Sequence, residues 1–147
     1  MTPEVGTRLT DPVAGTTTVF TATAESTGGD HVEVEATYPP DSARPPRHLH
    51  PRQTERFTLL AGSLEVRRGD EQFTAGPGDE FTVEPGVVHQ MWAGGDGAVF
   101  RWRTSPALRT GELNCAVWQC ARDHDWKPGG ARLFEVISRY DDEFRLA

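Results

Sequence analysis

Apolar and polar residues alternate from His31 to Tyr38, with Val32, Val34, Ala36 and Tyr38 on one parity and His31, Glu33, Glu35 and Thr37 on the other. A period of two is that of a strand with one buried face. The preceding "TTTVFTATA" is β-rich, and "STGGD" supplies a turn, so the two segments predict a hairpin. From Arg56 to Arg103, short apolar pulses are separated by Ala61-Gly62, Gly69-Asp70, Gly76-Pro77-Gly78, Pro85-Gly86 and "GGDG". Turn signals at that spacing predict an all-β sandwich or barrel. The "RGD" at 68–70 reads as a hairpin turn rather than an adhesion motif.

Past Pro106 the period lengthens. Leu113, Ala116, Val117, Cys120 and Ala121 follow spacings of three and four, and after a glycine break Leu133, Val136, Ile137, Tyr140 and Phe144 do the same. Two C-terminal helices are expected, covering a sheet face or barrel end, with a lid over a pocket as the alternative. The chain reads as one domain over 1–147, with a barrel from about 16 to 105 and a helical extension from about 108 to 147.

Charge narrows the partners. A net charge of -7 and a pI near 5.2 do not suit a binder of phosphate backbones, which needs a basic stripe, so no nucleic-acid partner is expected. The opening "MTPEVGTRLTDPVAG" shows neither a basic leader with an apolar stretch nor a long uncharged run. A cytoplasmic protein without membrane association is the expectation. Cys115 and Cys120 lie five apart on the first helix, roughly 140° around its axis, which disfavours a disulfide or a shared metal.

The candidate chemistry sits in "RHLHPRQTERF", residues 47–57. Residues two apart on a strand share a face, so His48 and His50 can present their imidazoles together. Glu55 shares parity with Phe57 and Leu59 and should point inward with them. His89, in "PGVVHQMW", shares parity with Met91. Three imidazole nitrogens and one carboxylate oxygen suit one divalent transition metal (Fe, Mn, Ni, Co, Cu or Zn), with positions left open for water, dioxygen or substrate. Inward parity also nominates Phe57, Leu59, Phe81, Met91, Phe100 and Trp102 as a substrate pocket. Gln53 and Gln90 are candidate donors behind the ligands, with Gln90 expected to point outward. Arg101 and Arg103 read as surface residues paired with acids, and His31 and His124 as solvated. No nucleophile elbow, phosphate-binding loop or dinucleotide fingerprint is present.

From Tyr38 to Arg103 the sequence resembles the cupin superfamily. His48, His50, Glu55 and Gly62 match its first motif, and Gly78, Gly86 and His89 its second. Ser42 stands where the first motif has a leading glycine, Glu84 where the second has proline, and Ala93 where it has asparagine. The resemblance implies a small jelly-roll barrel with a pocket at one end, a metal on the four matched residues, and a homodimer. Some cupins bind no metal, and the four residues would then be polar barrel lining.

Three functions follow from that resemblance. A quercetin dioxygenase-like enzyme would act on an enol- or phenol-type small molecule, with Glu55 as ligand or proton acceptor. A non-redox polyketide-type cyclase or isomerase would polarise a carbonyl at the same residues. A small-molecule binding cupin would hold its ligand without turnover. The dioxygenase leads, narrowly.

Overall fold

The structure, a computed structural model, describes residues 1–147. Nine strands come in the order β1 (Arg8–Asp11), β2 (Thr16–Ala22), β3 (Val32–Tyr38), β4 (His48–Leu49), β5 (Thr54–Arg68), β6 (Glu71–Ala75), β7 (Glu80–Val83), β8 (His89–Ser105) and β9 (Arg145–Leu146). Between β8 and β9 lie α1 (Thr110–Asp123), α2 (Gly130–Ile137) and a 3-10 turn at Ser138–Tyr140. No helix is long and apolar enough to cross a membrane.

All pairings are antiparallel. The sheet runs β1-β2-β3-β8-β4-β9, and β5 joins it by pairing with β6, β7 and β8. This arrangement fits a jelly roll, and it is organised by the two long strands. The β2–β3 hairpin forms as its alternation predicts, with Phe20 opposite Val34. Gly69 and Asp70 make the two-residue turn between β5 and β6, with Gly69 at φ +58°.

Two expected turns are instead irregularities inside continuous strands. β5 runs through Ala61-Gly62 and β8 through the "GGDG" segment, with register shifts between Leu59 and Ala61 and between Gly62 and Leu64. Glycine signals a bulge inside a strand as readily as a turn between strands. Gly62 has φ +72°, and a Cβ there would fall on the Gly97 carbonyl oxygen. The sheet also begins earlier than expected, because β1 pairs with β2 ahead of Thr16.

The apolar residues gather in two clusters. One fills the barrel and includes Phe57, Leu59, Leu64, Val66, Phe81, Met91 and Phe100. The other joins Leu9, Phe20, Val32 and Val34 on the β1–β3 side to Ala107 and Cys115 around α1. Trp102 packs against both. Both cysteines are free, with Cys115 buried and Cys120 half-buried.

The second predicted helix is shorter than its periodicity suggests. α2 stops at Ile137, and after the 3-10 turn the chain returns to the barrel as β9, which pairs with β4. Phe144 therefore belongs to a closing strap rather than to a helix face.

Candidate metal centre

His48 stands opposite His89 where β4 meets β8. Their rings lie 4.4 Å apart between centroids, and the His50 ring, just past β4, is 5.2 Å from His48 and 5.1 Å from His89. One nitrogen of each histidine lies within 4.8 Å of the others. Glu55, 1% exposed on the inward face of β5, places Oε1 3.0 Å from His50 Nε2 and 2.8 Å from His89 Nε2. All four residues nominated by the sequence converge.

Their outer atoms are committed elsewhere. Nδ1 of His48 lies 2.8 Å from the Pro46 carbonyl, Nδ1 of His50 2.7 Å from that of Glu143, and Nδ1 of His89 2.9 Å from that of Val87. A carbonyl only accepts, so each Nδ1 carries the proton and each neutral ring offers a lone pair at Nε2. Trp102 donates its indole N–H to Oε2 of Glu55 at 2.6 Å. His50 Nε2, His89 Nε2 and Glu55 Oε1 remain, buried and without a hydrogen bond of acceptable geometry. Leaving one such atom unsatisfied costs about 1–3 kcal/mol, and here three acceptors face one another. A cation at their focus answers all three, and imidazole with carboxylate is the donor set of borderline divalent metals. The site fits such an ion.

The titration behaviour has the same origin. Burial is the main force pushing His48 down to about 4, against the pull of the Pro46 carbonyl. Burial alone would lower His50 too, but the Glu55 carboxylate outweighs it and raises the imidazole. For Glu55, burial would raise the carboxyl, yet His50 and His89 hold it well below the usual carboxylate range. A proton on His50 and a metal at the focus are therefore competing answers to one arrangement of charge.

Three of the four residues, His48, His50 and Glu55, line a cavity of about 520 Å³. Leu9, Val34 and Trp102 line its barrel side, Leu113, Val117 and Trp118 come from α1, and Leu133, Phe134 and Ile137 from α2. The strap closes the end nearest the histidines. Phe144 stacks on His48, with centroids 4.7 Å apart and planes 16° from parallel. The buried Glu143 carboxylate is held by Arg109 at 2.9–3.0 Å, and Arg109 also donates to the Arg139 carbonyl.

Residues 34–104 match the family described as "Cupin domain". That match takes in 71 of the 147 residues and most of the barrel. The same segment carries the four converging residues and most of the strands. Three solved structures share the fold. An RmlC-like cupin of Shewanella frigidimarina is 19% identical, with 69% of this chain and 85% of that one covered at a TM-score of 0.58. KdgF of Halomonas is 22% identical, with 65% and 83% covered and a TM-score of 0.57. The Streptomyces nucleoside dehydratase Pac13 is 13% identical, with 71% and 78% covered and a TM-score of 0.56. Among curated proteins, an oxidoreductase of Arthrobotrys oligospora is 35% identical over 81 residues, which is 52% of this chain. The chain spans about a third of that relative's length, 32%.

Within the barrel, two departures from the cupin motifs meet, since the Ser42 hydroxyl accepts a hydrogen bond from the Ala93 N–H at 2.8 Å. Gly86, at φ +80°, donates its N–H to the His50 carbonyl at 2.9 Å and so ties the second motif to the first. Of the six residues expected to line a pocket, Trp102 alone faces the cavity. Phe57, Leu59, Phe81, Met91 and Phe100 do point inward, but they fill the barrel core. Parity gives the face of a strand and not the depth at which the interior is already full.

Gln53 touches no ligand. It is buried and donates to the Pro106 and Ala107 carbonyls and to Thr110 Oγ1, fastening the start of α1 to the start of β5. Gln90 is buried rather than outward, donating to the Pro45 carbonyl beside the strand that carries His48. Arg101 and Arg103 pair with Glu33, at 4.0 and 2.9 Å. His31 and His124 are half-buried, not fully solvated, with Nδ1 against Asp30 and the Cys120 carbonyl respectively. No pattern in the sequence marks the cavity residues of α1, α2 and the strap as site residues. Phe144 and Leu146 alternate as a strand does, but the spacing from Leu133 to Tyr140 had already claimed Phe144 for a helix.

Proposed function

We propose that His48, His50, His89 and Glu55 hold one divalent transition metal, and that the protein is a dioxygenase acting on an enol- or phenol-type small molecule bound in the adjoining cavity. The observation that carries this reading is the convergence of buried acceptors, each backed by a committed outer atom, at the end of a cavity large enough for an organic substrate. The oxidoreductase relative, matched over about half of the chain, supports a redox reaction.

A metal held by His48, His50, His89 and Glu55 would supply Lewis-acid polarisation of a substrate hydroxyl and redox chemistry with dioxygen. The protein's own residues define the rest. The Pro46, Glu143 and Val87 carbonyls hold the three imidazoles in the tautomer that presents Nε2 inward. Trp102 holds the Glu55 carboxylate by Oε2, leaving Oε1 as ligand or as acceptor of the substrate hydroxyl proton. Phe144 shields His48 by stacking on it, and α1 and α2 side chains line the cavity beside them.

Purified, metal-loaded protein should contain about one metal per chain, with His48→Ala and His89→Ala losing it. Metal analysis that finds wild-type protein unable to take up an ion after reconstitution would remove the reading. Oxygen-electrode measurements with flavonols and related enols then test the chemistry. Turnover that consumes oxygen supports the dioxygenase, whereas conversion of a polyketide-like substrate under anaerobic conditions replaces it with the cyclase or isomerase.

A further inference from the structure

Two features of the cavity have no use in the ligand geometry. The first is the state of α2. Leu133, Phe134 and Ile137 line the cavity, yet no residue of this helix is buried, and Phe134 is 58% exposed. A short amphipathic helix is normally held by burying its apolar face against a core. Here that face looks onto open space, across which stand Leu9, Val34 and Trp102.

The second feature is charge. No arginine or lysine lines the cavity, and its ionisable residues apart from the histidines are the carboxylates of Asp11, Glu55 and Glu143. Arg109 is not among the lining residues and is engaged by Glu143. A phosphate or carboxylate placed beyond reach of the histidines would meet no counter-charge, only the neutral polar residues Thr16, Thr18, Thr104, Thr110 and Asn114 among apolar and acidic side chains.

We infer that the cavity takes an uncharged, largely apolar molecule that points a single oxygen at the histidine end and supplies the core that α2 lacks. This rests on the proposed site for the position of the oxygen, but its apolar part stands on the cavity alone. The inference selects within the proposed function. Sugar phosphates, uronates and other substrates anchored by a remote anionic group are excluded, and hydroxylated ring compounds are retained. It also gives α2 a role: the helix is the wall that closes over the ligand, and the ligand is what it packs on.

The test uses the whole chain, metal-free and zinc-loaded, titrated calorimetrically with 2-naphthol and with 6-hydroxy-2-naphthoate. The two share ring and hydroxyl, and the second adds a carboxylate at the far end. The expected result is 1:1 binding of 2-naphthol to both protein forms, tighter with zinc, and binding of the naphthoate weaker by roughly tenfold or more. Hydrogen exchange of residues 130–137 should slow in the 2-naphthol complex, because the ligand buries their apolar face. Val117→Trp, which fills the cavity away from the ligands, should weaken 2-naphthol about tenfold and leave zinc stoichiometry unchanged. Comparing two ligands on the wild-type chain needs no variant to fold.

Equal or tighter binding of the naphthoate would overturn the inference. So would absence of 2-naphthol binding, including the case in which sedimentation shows a second copy of the chain covering the α2 face. If the protein takes up no zinc but still prefers 2-naphthol and protects α2, the inference stands and the metal reading falls.

Discussion

His48 must remain neutral to offer its Nε2, and burial sees to that by pushing its pKa down to about 4 from an ordinary 6.5. Below pH 6.5 the unfolded chain takes up a proton that the folded chain refuses. The stabilising contribution of His48 is therefore fully present above pH 6.5 and is lost as the pH falls toward 4, a change on the order of 3 kcal/mol. Urea unfolding of metal-free wild type and His48→Asn between pH 7 and 4 should show the wild type losing its advantage over the variant in that window. Parallel pH profiles would refute the assignment. His50 has the opposite sign, since its raised pKa favours the folded state below 6.5 and that contribution fades as the pH rises through the folded value. Trp102 is the other residue with a single critical contact, its indole N–H to Glu55. Trp102→Phe keeps an aromatic ring, though a smaller one, and strands a carboxylate oxygen, so the stability lost should be at least about 1–3 kcal/mol in denaturant melts of the metal-free protein.

At the scale of elements, the site depends on two devices that a strand-by-strand reading passes over. The first is the irregular stretch shared by β5 and β8. Gly62→Ala would both strain a backbone at φ +72° and drive a Cβ onto Gly97, whereas Gly69→Ala at φ +58° meets nothing within 4 Å. The Gly69 variant should cost about 1 kcal/mol and the Gly62 variant at least about 2 kcal/mol more, read from urea midpoints. The second device is the strap from Asp141 to Leu146. It carries the carbonyl that orients His50 and the ring that stacks on His48, and the Arg109–Glu143 pair holds it. Arg109→Ala leaves a buried carboxylate without its partner and loosens the strap. Zinc affinity, measured by chelator competition, should fall about 10–100-fold, with partial recovery in Arg109→Lys. An unchanged affinity would show that the strap is cover alone.

For the whole molecule, a metal on the proposed ligands would be linked to the fold, because those residues come from three separate strand regions, β4 and its following loop, β5 and β8. An ion that binds only the folded arrangement should stabilise it by about 4 kcal/mol at a thousandfold excess over the dissociation constant. Scanning calorimetry should show a Tm that climbs with zinc concentration, returns to the apo value in chelator, and does not respond in His89→Ala. The cavity lies where barrel, helices and strap meet, so each part contributes a wall that none forms alone.

How far the sequence alone reaches is clearest residue by residue. The alternation at 31–38 determined a strand, and the spacing in "RHLHPRQTERF" together with His89 nominated a candidate ligand set, because side-chain parity on a strand is a local property of the backbone. Local rules also placed Phe57, Leu59 and Phe100 on the inner face. Depth is a different matter: packing against strands far apart in the chain made those residues core and left Trp102 at the cavity. The "GGDG" and Ala61-Gly62 signals were legible as backbone irregularities, but only the long-range β5–β8 pairing made them bulges rather than ends of strands. Glu143 and Phe144 show the limit most directly. Nothing local distinguishes them from the end of an amphipathic helix, and their roles exist only because β9 pairs with β4 and brings them to the histidines. The sequence by itself determined which atoms could bind a metal. Tertiary structure decided which face they share with a cavity, since a cavity is set by the distances between elements and not by the period within any one of them.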